Sequence, residues 1–284
     1  VNITEDGNVV VTTGHPDIGG SRASIANITA ELLGIDVNRV SVLIGDTATI
    51  GFSNLTGGSR VLFASALVVT ESTNQVIDIL KDRASKIWNI DKEAIEWENG
   101  EARPAGDNAG KFKPLSLVEL AEQATPTGGP IGAGHQVNTV GAEGGFATHI
   151  CDVEVDIELG IARVIRYTAA QDVGKAIHPA YVEGQLQGGV VQGIGWALNE
   201  EYIYNKEGKL DNPGFLDYRI PVCSDLPMID TILVEVPNPQ HPQGVRGVGE
   251  VPIVPPLSAI ANAIYNAIGT RFYSLPMSPP KVLE

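Results

Sequence analysis

Cysteine is almost missing from this chain: its 284 residues include two, Cys151 and Cys223. Two scattered thiols exclude a disulfide framework and a Cys-x-x-Cys metal site, so both read as reduced side chains with packing roles. Positive charge is also scarce. There are 19 Lys and Arg against 34 Asp and Glu, a formal net charge of −15. Without a basic face, neither a nucleic acid nor an anionic membrane surface is an expected partner. The uncharged apolar run at residues 61–69 is far too short for a bilayer. No basic segment followed by an apolar one opens the chain, so no signal peptide is read and a cytoplasmic location is expected. Instead Val1-Asn2-Ile3 leads straight into a strand-like stretch at 8–12, as in a piece cut from a longer protein or the second half of a split one. The five histidines, His15, His135, His149, His178 and His241, lie far apart, so no histidine metal centre is expected. A Gly-x-Ser-x-Gly nucleophile elbow is missing as well.

Glycine and proline are plentiful, at 32 and 18, and 43% of residues are apolar. A substantial core with many tight loops follows. Residues 8–14 read as a strand ending at Gly14. Ile25, Ile28, Leu32 and Leu33 then recur at helical spacing, with Gly34 as the C-cap. Residues 40–45 form a short strand. A loop from Phe52 to Gly58 precedes a long helix that is apolar all round over 61–69 and amphipathic through Val76, Leu80, Ala84 and Trp88. Residues 86–101 suit a small helix and hairpin, and 116–124 another helix. From 136 the period changes to two. Residues 146–156 and 162–172 read as an antiparallel pair turning at Leu159-Gly160. A helix over 179–200 carries Gly184, Gly188, Gly189, Gly193 and Gly195, a density that needs a packing or ligand reason. A strand at 229–236 and a final helix ending at Gly269 complete the pattern. Strands and helices interleave without a βαβ repeat, so the fold class is α+β, helices packed on mixed or antiparallel sheets. Two subdomains, about 1–135 and 170–284, are expected around a central sheet at 136–170.

Three loops share one kind of physics. Gly19-Gly20-Ser21-Arg22, Thr56-Gly57-Gly58-Ser59-Arg60 and Gly247-Val248-Gly249-Glu250 are each glycine-rich and each lead into a helix. Free N–H groups, a hydroxyl and a guanidinium at a helix start suit an anion such as phosphate. Neither of the first two matches a P-loop or a dinucleotide fingerprint. The third mounts Glu250 between a glycine-dense turn and Pro252. That placement suits a catalytic base, with a carboxylate near a helix N-terminus as the plain structural alternative.

The string Gly244-Val245-Arg246-Gly247-Val248-Gly249-Glu250-Val251-Pro252 resembles the C-terminal active-site loop of the xanthine oxidase family of molybdenum hydroxylases. Other segments agree in the family's order. They are residues 14–24, 56–60, Phe146-Ala147-Thr148-His149, Asp172-Val173-Gly174 through Pro179, residues 183–195, and 212–221 with Tyr218. The resemblance spans the chain and points to the C-terminal portion of the large, molybdopterin-binding subunit.

That resemblance implies a molybdenum–molybdopterin cofactor, in the cytosine dinucleotide form common in bacteria. Ile18, Gly19, Gly20, Ser21 and Arg22 would face the pterin or its phosphates. Thr56, Gly57, Gly58, Ser59 and Arg60 would hold another part of the dinucleotide. Gln185 would lie near the metal end or the pyrophosphate, and Val248 and Gly249 would line the cofactor beside the base. No side chain need ligate the metal. Glu250 would be the general base that activates the metal-bound hydroxide for attack on an electron-poor carbon of a heteroaromatic ring or an aldehyde. Electrons would leave to iron–sulfur and FAD centres in partner chains. An N-terminal molybdopterin-binding chain or segment would complete the site and cover an apolar interface. One departure is plain: the family's Gly-Gln-Gly loop here reads Ile18-Gly19-Gly20-Ser21, without the amide. A non-catalytic scaffold that completes a partner's site is the alternative, and an unrelated acidic binding domain a more distant one.

Overall fold

The computed structural model describes residues 1–50, 53–139 and 144–284, so Phe52 of the second glycine loop lies outside the described residues. The chain divides into two units, Val1–Ala142 with Asn238–Val245, and Glu143–Pro237 with Arg246–Glu284.

The first unit runs β1 (Asn2–Ile3), β2 (Val9–Thr13), α1 (Ser21–Leu33), β3 (Val40–Ile44), α2 (Val61–Trp88), β4 (Ile95–Glu98), β5 (Glu101–Pro104), β6 (Leu115–Ser116), α3 (Leu117–Glu122), α4 (Ala124–Thr127) and β7 (Ile131–Gly132). Its main sheet has the order β3-β2-β1-β7, with β2 and β3 parallel and the other pairs antiparallel. A small antiparallel sheet is ordered β4-β5-β6. Helix α1 ends as its sequence requires. Gly34 adopts φ 69° and donates its N–H to the carbonyls of Ala30 and Glu31, a left-handed cap that glycine takes without strain. Helix α2 buries Val61, Ala64, Ser65, Ala66 and Val69 at its start, then only Val76, Leu80, Ala84 and Trp88 among its apolar side chains further on. The returning segment Asn238–Val245 is tied in by His241, which is 5% exposed. The Gln243 N–H donates to its Nδ1 at 3.1 Å. Its Nε2 therefore carries the proton and donates to the Phe63 carbonyl at 3.0 Å.

The second unit runs β8 (Ala147–Asp156), β9 (Ile161–Asp172), α5 (Pro179–Leu198), β10 (Ile229–Val234), α6 (Val254–Ile268) and α7 (Pro279–Val282). β8 and β9 form the expected hairpin. Asp156 Oδ1 accepts the N–H groups of Glu158 and Leu159 at 2.9 and 3.0 Å, which folds the turn back before Gly160. β10 pairs with β9 in parallel, so the sheet is mixed. Its inner face sets Val164, Tyr167, Ala169 and Ile229 against Val190 and Ile194 of α5 and Ile260 and Ile264 of α6. The stretch Val251–Ile268 is longer than the run at 61–69, and by length and composition (mean hydropathy 1.3) it could cross a membrane. Of this stretch 22% is buried; Ile260 and Ile264 are wholly buried in the core of this unit, so α6 packs one face on the sheet.

Candidate functional site

The predicted site residues fall in both units, the first two loops in the first and Gln185 with the Glu250 loop in the second. In the first loop, Gly19 and Gly20 take φ 61° and 75° and turn the chain into α1. The Ile18 N–H donates to Ser21 Oγ at 3.3 Å, and that hydroxyl donates to the Pro16 carbonyl at 3.4 Å. Ser21 is 3% exposed. Asp17 accepts the Arg22 N–H at 3.2 Å and stands 3.8 Å from its guanidinium. The helix start therefore already holds a carboxylate of its own. What it offers outward is the half-exposed Arg22 side chain.

The second loop behaves differently. Gly58 and Ser59 take left-handed conformations, with φ 74° and 55°, and present Arg60 at the N-cap of α2. The Arg60 guanidinium donates to the Leu55 carbonyl at 3.1 Å and to Thr139 Oγ1 at 3.0 Å. It also lines a cavity of about 560 Å³ together with Thr13, His15, Ser53, Asn54 and Ser65. His15 Nε2 and Ser65 Oγ are buried there without a hydrogen-bond partner, and Ser65 is 5% exposed. Burial and, after it, the Arg60 charge hold the His15 imidazole below its usual pKa. A neutral imidazole, a hydroxyl and a guanidinium thus face one cavity with unmet hydrogen-bonding capacity, which buried polar groups rarely leave unused. Thr56, Gly57 and Gly58 are exposed and do not line the cavity, nor do residues 19–22. No sequence motif marks His15 or Ser65: the histidines are too far apart for a metal cluster, and Ser65 lies inside an apolar helical run. The available signal was that His15 follows the strand end at Gly14. Among the described residues, no group of three His, Cys, Asp or Glu side chains could hold a metal ion.

In the second unit, Glu250 takes the N-cap position of a 3₁₀ turn, Val251–Ile253, at the entrance to α6, but its side chain does not cap that turn. The residue is exposed. The turn is seated on α5 through glycine. A Cβ at Gly193 would stand 2.6 Å from Pro256 Cβ and 3.0 Å from the Ile253 carbonyl oxygen, and one at Gly189 would overlap the Pro252 ring. A Cβ at Gly195 would likewise stand 2.8 Å from Pro221 Cδ, so three of the five helix glycines are explained by packing, whereas Gly184 and Gly188 have nothing within 4 Å. Gln185 is half-buried on the same helix. Val248 packs against the cluster of Val173, Val182 and Leu186. Arg246, four residues before Glu250, pairs with Asp172 at 3.2 Å, with side chains only 8% and 10% exposed. On the inner face of the sheet, His149 Nδ1 meets the Tyr167 hydroxyl at 2.9 Å. Burial pushes His149 down to about 4 and raises Tyr167, which is 0% exposed, far above its ordinary value.

A family model described as a molybdopterin cofactor-binding domain matches residues 1–227. The chain belongs to that family. Its relatives identify the branch. A xanthine dehydrogenase molybdenum-binding subunit from Escherichia coli O157:H7 is 30% identical over 99% of this chain and 38% of the relative. A nicotine 6-hydroxylase large subunit from Paenarthrobacter nicotinovorans is 29% identical over the whole chain and 36% of the relative. The fold of quinoline 2-oxidoreductase from Pseudomonas putida 86 matches with a TM-score of 0.86 at 27% identity, over 99% of this chain and 37% of that one. The molybdopterin-binding chain is thus of the xanthine oxidase type, as the glycine loops and the Glu250 string imply. It spans a little over a third of the length of these relatives.

Proposed function

We propose that this chain forms the C-terminal part of the molybdopterin-binding subunit of a molybdenum hydroxylase, and that Glu250 is its general base. The observation that carries the reading is the Glu250 side chain. It stands exposed on a turn fixed by proline–glycine contacts and close in sequence to a buried ion pair.

The cavity beside Arg60 supports the cofactor half of the reading. Arg60 would take a phosphate of the dinucleotide, with Ser65 Oγ and His15 Nε2, both now without partners, completing its polar contacts. Arg22 would offer a second cation to the same cofactor, and Gln185, Val248 and Gly249 would face its metal end. The dinucleotide would be the cytosine form. When bound, the cofactor supplies a water-derived nucleophile and accepts two electrons. Glu250 would accept the proton of that nucleophile, a general-base role worth roughly 10²–10⁴-fold in rate, and the substrate would be a heteroaromatic ring or an aldehyde with an electron-poor carbon. Iron–sulfur and FAD centres in partner chains carry the electrons away, and the remaining N-terminal portion of the subunit closes the site. The two free thiols suit the reducing cytoplasm.

The test is co-purification with the partner chains, molybdenum and cytidine nucleotide analysis, and turnover with an artificial electron acceptor. Glu250→Gln should keep molybdenum and nucleotide content and lose roughly 10²–10⁴-fold in kcat. Normal turnover by that variant would refute the base. A wild-type complex with neither molybdenum nor cytidine nucleotide would refute the cofactor reading.

A further inference from the structure

We infer that Arg246 and Asp172 are positioning residues that set where the Glu250 carboxylate stands. The catalytic consequence rests on the general-base reading above, whereas the anchoring itself does not. The loop needs an anchor. Glycines at 244, 247 and 249 give it wide backbone freedom, and a base must be held within a fraction of an ångström of its working position. The Arg246 guanidinium supplies a hold that reaches several stretches of chain. Its Nε lies 3.2 Å from Asp172 Oδ2 at the end of β9 and donates to the Val236 carbonyl, beyond β10, at 3.3 Å. Its Nη1 donates to the Gly144 carbonyl, just before β8, at 3.0 Å.

Asp172 is itself fixed at both ends. Its Oδ1 accepts the Gly174 N–H at 3.0 Å, and its backbone N–H donates to the Phe146 carbonyl at 2.8 Å. One guanidinium therefore ties the loop to the ends of all three strands of the sheet. The chain just past Glu250 returns to the same place. A Cβ on Gly145 would lie 3.7 Å from Val251 Cγ2 and 3.9 Å from the Asp172 carbonyl oxygen. Glu250 is thus held from Arg246 on one side and from Val251 and Pro252 on the other.

A buried ion pair is a poor device for stability alone, because desolvating both charges offsets their attraction. It is a good device for direction, because the planar fork fixes several acceptors at set angles, which an ammonium does not reproduce. A pair kept buried in a glycine-rich loop four residues from a carboxylate fits that second use.

The test uses the co-purified complex carrying Asp172→Asn or Arg246→Lys. Both are mild changes, chosen because Arg246→Ala could fail to assemble. The first readout is amide hydrogen exchange over 244–253, which does not depend on catalysis. Exchange should quicken roughly tenfold to a hundredfold with the loss of charge-assisted bonds. The second is kcat per molybdenum-loaded site, which should fall roughly 10–100-fold with KM and cofactor content unchanged, as expected when a base is displaced by about 1 Å. Unchanged exchange in both variants overturns the anchoring. Faster exchange with unchanged kcat per loaded site overturns the positioning role, as does a loss confined to cofactor content, which marks a purely structural pair. Turnover that survives Glu250→Gln while exchange still quickens in these variants refutes the base and leaves the anchor standing.

Discussion

The glycines of α5 provide a graded test of how the Glu250 turn is seated. Alanine in a helix interior is favoured over glycine by about 1 kcal/mol. At Gly184 and Gly188 a new Cβ meets nothing within 4 Å, so each change to Ala should realise that gain and raise Tm by about 2–4 °C. At Gly193 the same Cβ would stand 2.6 and 2.7 Å from the Pro256 ring and 3.0 Å from the Ile253 carbonyl oxygen. Ordinary contact begins near 3.4 Å, so something must move by more than half an ångström, and neither a proline ring nor a backbone carbonyl yields easily. Overpacking of this kind costs about 1–3 kcal/mol. Net of the propensity gain, Gly193→Ala should be destabilised by up to about 2 kcal/mol, and Gly189→Ala, which meets Pro252, by a similar amount. The assay is the thermal midpoint of the four single variants in the purified complex. The two classes should separate by roughly 1–3 kcal/mol, and the 189 and 193 variants should also lose turnover per loaded site because the Glu250 turn is displaced. If Gly189→Ala and Gly193→Ala stabilise as much as Gly184→Ala, the proline–glycine seat is wrong.

Two further expectations concern buried side chains. His149 is held near 4 by burial, against about 6.5 when unfolded. The folded state therefore binds fewer protons in that window, and its stability, full above pH 6.5, is lost as pH falls toward 4. With allowance for partial exposure, the loss is about 2 kcal/mol. His149→Gln should flatten that limb in urea midpoints taken from pH 4 to 7, leaving the smaller contributions of His15 and His241, and an unchanged limb would refute the assignment. Cys151 is pushed up to about 12 by burial and then by the Asp152 charge, whereas Cys223 is exposed. A thiol reagent should label one site in the native chain and two after unfolding. Labelling that persists in native Cys223→Ser would contradict this.

Much of the fold was legible because local chemistry decides it. Gly34 ends α1, the period-two pattern builds the β8–β9 hairpin, and the switch from all-round to one-sided apolarity marks where α2 emerges. The parallel pairing of β10 with β9 was not legible, since alternation gives a strand its faces and not its partner. The 238–245 return was hidden for a related reason: His241 bonds the Phe63 carbonyl and Gln243 bonds Thr70, both distant in sequence. At the candidate site, glycine density marks loops that lead into helices but does not reveal which donors are already taken. Asp17 occupies the start of α1, a short-range bond that any Asp five residues before an amide can make. The unmet donors are instead His15 and Ser65, whose burial depends on the cavity around them and not on neighbours in the chain.

Neither unit is one continuous stretch of sequence. Eight residues, Asn238–Val245, belong to the first unit yet are followed at once by Arg246 of the second. Recombination moves continuous stretches, so an exchange at the 142/143 boundary would carry away a fold lacking its own last segment and leave its host with a surplus one. The piece that anchors His241 and the piece that carries Glu250 must therefore be inherited together. In this lineage the two units are expected to diverge as a single block, and chimaeras joined at 142/143 should need residues 238–245 from the parent that donated the first unit.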